Sequence, residues 1–134
     1  MRYLLDTNIC IYLMKHSPPQ IAARFQALRV GDAAMSAITY AELRLGLRAN
    51  PATAAHNQAV LESLTDDLPV VPFAEAAADS YGSLQTDTAL KRKDALDRLI
   101  AAHAVSLNAV LVTNNIADFK AYKNLRVENW VAGR

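Results

Sequence analysis

Cysteine occurs once, at Cys10, in a chain of 134 residues. A single thiol excludes an internal disulfide and any cysteine metal cluster. Cys10 lies among Ile9, Ile11 and Tyr12, which suits a buried inert group, and the reducing cytoplasm is the expected compartment. Neither sign of charge is in excess: 14 Lys and Arg face 13 Asp and Glu, leaving +1 at pH 7. No global field therefore draws the chain to nucleic acid, and any basic surface must be local. No apolar run is long enough to span a membrane. The first run stops at Asp6, too early for a secretory signal. His16 and His56 have no partner at metal-ligand spacing. Internal repeats and low-complexity tracts are also missing.

What remains is 52% hydrophobic and 20% charged, the balance of a folded domain, and the length suits one domain over residues 1–134. Tyr3-Leu4-Leu5 reads as a buried strand that ends at Asp6. Thr7 then opens a helix running to about Lys15, before Ser17-Pro18-Pro19. Ile21, Phe25 and Leu28 are spaced for a short helix, and Ala33-Ala34-Met35 for a second strand. Ser36 caps a helix to about Ala49, with Ile38, Ala41, Leu45 and Ala49 as its expected apolar stripe. A helix is expected over 52–68 and a brief edge strand at Val70-Val71 between two prolines. A long helix is predicted from Phe73 to about Leu90, interrupted by Gly82. Another spans 94–107, with Leu96, Leu99, Ile100, Ala104 and Leu107 inward. Ala109 to Val112 is a buried strand, a short helical turn runs through Asp118 and Phe119, and 125–128 forms a last strand. Strands alternating with helices predict an α/β fold with a mainly parallel sheet covered on both faces.

Several acids fall at telling places. Asp6 ends a strand where a helix leaves, the edge at which open α/β sheets bind ligands. It is equally a good helix cap. Glu42 projects into an apolar stripe, where a carboxylate is costly unless paired or bound to metal. Asp97 lines up with Ile100, Ala101 and Ala104 near a helix start. Asp94 shares that face one turn earlier, and spacing alone does not choose between them. Thr113, Asn115 and Asp118 follow the last buried strand. Carboxylates gathered at one edge repel and raise one another's pKa values. A divalent cation removes that conflict, and oxygen-only ligands suit Mg²⁺ or Mn²⁺. Such a site suits attack of water on a phosphodiester. The one basic run, Lys91-Arg92-Lys93, leads directly into the Asp97 helix and suits an anionic substrate. Its plainer reading is a solvated loop.

Four segments stand in order: Leu5-Asp6-Thr7-Asn8, Ser36 to Leu43 with Gly46, Asp97 to Ala104, and Leu111 to Asn115 with Asp118-Phe119. Together they resemble the PIN-domain nucleases, and more narrowly the VapC-type toxins of bacterial type II toxin–antitoxin pairs. The closing Leu125 to Trp130 is also similar. The resemblance implies a three-layer α/β/α fold and a Mg²⁺-dependent endoribonuclease. It assigns catalysis to Asp6, Glu42 and Asp97, the metal to Asp6 and Asp97, and selects Asp97 over Asp94. Asn8, Thr113, Asn115 and Asp118 would support the site. Asn115 stands where many PIN domains carry a further acid. Lys91, Arg92, Lys93 and Arg98 are candidate RNA contacts. The resemblance also implies a small antitoxin partner and a homodimer. His103 belongs to the third segment and is expected to be a hydrogen-bonded core residue.

Two other enzyme classes are set aside by single positions. A haloacid-dehalogenase-type phosphatase needs a second Asp two residues after the first, and residue 8 is Asn8. A receiver domain needs paired acids after the first strand, and these are absent. The remaining alternative is a catalytically silent PIN-like module that binds RNA or a partner. Mg²⁺ would stabilise a working site and need not stabilise a silent one.

Overall fold

A computed structural model describes residues 1–132. Five short parallel strands form one sheet: β1 (Tyr3–Leu5), β2 (Ala33–Ser36), β3 (Val70–Val71), β4 (Val110–Val112) and β5 (Val127–Glu128), in the order β3-β2-β1-β4-β5. Helices α1 (Thr7–Lys15) and α2 (Pro19–Gln26) connect β1 to β2. Helices α3 (Ala37–Leu47) and α4 (Ala54–Asp67) connect β2 to β3. Helix α5 (Glu75–Gly82), a 3-10 turn at Arg92–Asp94 and helix α6 (Ala95–Ser106) lead to β4. The four-residue helix α7 (Ile116–Phe119) precedes β5.

The central strand explains the layering. Side chains alternate across a strand. Tyr3 and Leu5 enter a core with Ile9, Leu13, Ile21, Leu43, Leu61 and Trp130. Leu4 enters the other, with Ile100, Ala101, Ala104, Leu111, Phe119 and Tyr122. The result is the three-layer α/β/α arrangement. Chain order runs outward from β1 through β2 to β3, then returns to the opposite side of β1 for β4. The carboxyl ends of β1 and β4 thus flank the point at which strand order reverses, where the crevice of an open α/β sheet lies. Among the described residues, no helix is long and apolar enough to cross a membrane.

Three expectations require correction. The helix from Phe73 stops at Gly82 rather than Leu90. Glycine lowers helix stability there, and the following segment is held elsewhere, by an antiparallel bridge from Thr86 to Tyr122 and a Lys123 N–H to Gln85 carbonyl bond of 2.9 Å. The buried face of α3 is Thr39 and Leu43, not the stripe through Ala41 and Leu45; Leu45 is 65% exposed. The helix is rotated because Leu43, Tyr40 and Leu47 pack toward one core while Ile38 packs toward the other. Leu96 lies on the outer face of α6, and the buried run is Ile100 to Ala104 with Arg98.

Candidate active site

Asp6 follows β1 directly. Its backbone N–H donates to the Val112 carbonyl at 3.0 Å, which fixes it beside the end of β4. Its side chain caps α1, accepting from the Ile9 N–H at 3.0 Å. Capping and a role in the site are therefore compatible. Asp6 is buried, and burial pushes its carboxyl pKa up. Hydrogen bonds from the Thr113 side chain and the Ile9 and Asn8 N–H groups oppose that rise, while nearby Glu42 adds to it. Thr113 follows β4, is fully buried, and accepts the Asn115 N–H at 3.0 Å. It links the two strand ends through one hydroxyl.

Glu42 comes from the second turn of α3. Thr7 Oγ1 donates to Glu42 Oε1 at 2.8 Å and lies 3.3 Å from the Thr39 hydroxyl. Thr7 is the residue that the sequence reading left out. The available signal was its place at the first position of α1, on the same strand end as Asp6. Asp97 comes from the first turn of α6 and is half-buried. Its pKa is pushed up to about 6, first by burial and then by the charges of Asp118, Glu42, Asp6 and Asp94.

Asp6, Thr7, Asn8, Glu42, Asp97 and Asn115 line one cleft of about 110 Å³, floored by Ile100 and Phe119. Asp94 does not line it. Asp118, exposed on α7, does not line it and acts on Asp97 through its charge. No Lys or Arg among the described residues forms an ion pair with the three acids. Asp6 and Asp97, both pushed up by burial and by neighbouring carboxylate charge and without a cationic partner, suit a divalent cation. Among the described residues, no group of three or more Asp, Glu, His or Cys side chains stands close enough together to hold a metal ion by itself.

The candidate RNA contacts divide. Lys91, Arg92 and Lys93 are exposed just before α6. Arg98 is not available: it is buried, its Nε donates to the Tyr81 hydroxyl at 3.1 Å and its Nη1 to the Lys91 carbonyl at 3.1 Å. It holds the basic segment from beneath rather than reaching solvent. His103 is buried and bonded to Ser36 through Nδ1 at 2.7 Å, the core histidine expected. Cys10 is buried, and burial drives its thiol pKa far up, which makes it inert.

The family model described as PIN domain matches residues 3–125. The chain belongs to the PIN domain family. Within it, this PIN domain is 37% identical to Ribonuclease VapC2 of Rickettsia felis, over 97% of this chain and 98% of that protein. It is 33% identical to the tRNA(fMet)-specific endonuclease VapC of Shigella flexneri, over 97% and 98%. Its fold matches the crystal structure of VapBC2 from Rickettsia felis bound to a promoter DNA fragment. The TM-score is 0.84 at 34% identity, covering 97% of this chain and 99% of that one. The VapC branch is thus the one this PIN domain joins.

Proposed function

We propose that this protein is a Mg²⁺-dependent endoribonuclease toxin held in check by a small cognate antitoxin. The observation that carries the reading is the convergence of Asp6, Glu42 and Asp97, from three separate elements, on one cleft at the strand-order reversal. The relatives named ribonuclease, and the VapBC complex among the matching structures, support the activity and the antitoxin.

Asp6 and Asp97 would hold the cation, with Asn115 as a neutral oxygen at the rim; Mn²⁺ would serve as well as Mg²⁺. The bound ion supplies a water of lowered pKa and offsets charge on the leaving oxygen. Thr7 fixes the rotamer of Glu42, which orients the attacking water. Thr113 and the Ile9 N–H fix the Asp6 carboxylate. Lys91, Arg92 and Lys93 contact the RNA phosphates, which positions the strand without specifying its sequence. The protein acts in the cytoplasm as a homodimer, in line with the resemblance.

Asp97→Asn keeps the side chain's size and removes its charge. The variant should lose RNA cleavage in Mg²⁺ by about 10²-fold or more, since even loss of an outer-shell partner of a metal ligand costs about 10- to 100-fold, while keeping the wild-type circular dichroism spectrum. Undiminished cleavage by a preparation free of other nucleases would refute the assignment.

A further inference from the structure

Two of the three acids in the cleft, Glu42 and Asp97, are delivered by α3 and α6, and those helices are joined at a buried point away from it. Ser36 is the last residue of β2 and the cap of α3: its Oγ accepts the Ile38 N–H at 3.0 Å. The same Oγ lies 2.7 Å from His103 Nδ1 on α6. The imidazole also donates to the Pro72 carbonyl, next to β3, and packs edge-on against Phe73 at 5.3 Å between ring centres. With its ring proton given to Pro72, Nδ1 is the acceptor and Ser36 O–H the donor. Ser36 and His103 are 0% and 1% exposed, so no water replaces either bond.

We propose that the Ser36–His103 pair is a positioning device that sets the spacing between Glu42 and Asp97. The inference rests on the nuclease reading above. Glu42 lies six residues beyond Ser36 along α3, and Asp97 six residues before His103 along α6. Each acid is therefore about 9 Å of helix from the joint. A tilt of about 6° between the helices at that lever moves one carboxylate by about 1 Å, a displacement able to cost about 10²-fold in rate. Leucine at position 103 would fill the space and leave the Ser36 hydroxyl without an acceptor. Asparagine would place an oxygen where Nδ1 stands and restore the bond.

The test compares wild type, His103→Leu, His103→Asn, Ser36→Ala and the Ser36→Ala/His103→Leu double variant. Each is assayed for kcat and KM on RNA and for Mn²⁺ affinity, at a temperature where circular dichroism shows it folded. His103→Leu should lower kcat by about 30- to 100-fold with KM within about threefold, and weaken Mn²⁺ binding about tenfold. His103→Asn should regain at least about tenfold of the lost kcat, and the double variant should be no worse than the more impaired single one. A folded His103→Leu with wild-type kcat and Mn²⁺ affinity overturns the proposal, as does strict additivity of the two single changes. A His103→Leu that unfolds leaves His103→Asn and Ser36→Ala to decide: equal kcat in both would also overturn it. Wild type that neither binds Mn²⁺ nor cuts RNA refutes the nuclease reading instead, and this inference falls with it.

Discussion

Asp97 carries the electrostatic logic of the site. In the metal-free protein its carboxyl holds its proton to about pH 6, against an ordinary value of 3.8. The folded state thus binds more protons than the unfolded chain between those two values, and stability falls as pH rises through that window. Above about 6 the loss is complete and the carboxylate is held folded against burial and the charges of Asp118, Glu42 and Asp6. A divalent cation competes with that proton, so its effect has the opposite slope. Saturating Mg²⁺ should raise the melting temperature clearly at pH 8 and little at pH 5. Equal shifts at both values in a thermal melt would mean that the ion binds elsewhere. Asp6 contributes in the same direction, tempered by its three hydrogen bonds.

At the scale of elements, the segment before α6 is the part most open to test. Lys91, Arg92 and Lys93 are outside, and Arg98 ties the Lys91 carbonyl and Tyr81 together below them. Replacing Lys91, Arg92 and Lys93 with Gln should weaken RNA binding at low salt and flatten its salt dependence by up to about three contacts. An unchanged salt slope would return the run to a solvated loop. Arg98→Ala should cost stability, on the order of 2–3 kcal/mol for buried bonds to a charged group. A urea midpoint within error of wild type would contradict that. The sequence placed every strand, because short apolar runs bounded by turn residues are a strong local signal. It also brought Glu42 to the right neighbourhood through the wrong face of α3. Helix rotation is set by packing against two cores at once, which no local periodicity encodes. The burial of Arg98 was illegible for the same reason: a lone Arg between Asp97 and Leu99 gives no local sign that its guanidinium turns inward. The exit of the chain at Gly82 depends on the Thr86–Tyr122 bridge, a contact between distant segments.

For the whole molecule, a reversal in strand order and four short motifs become one site. The acid at the end of β1 and the threonine at the end of β4 meet because those strands are neighbours. The acids on α3 and α6 reach the same cleft because both helices leave or approach that edge. The resemblance in the sequence chose Asp97 over Asp94, and the cleft contains Asp97 alone of the two. The central claim is that this cleft cuts RNA with a bound divalent cation. It is tested most directly by incubating the purified protein with total bacterial RNA in Mg²⁺, in excess EDTA, and in EDTA followed by excess Mg²⁺. The account predicts discrete fragments in the first and third samples and intact RNA in the second. Fragments undiminished in EDTA, or intact RNA in all three, would contradict it.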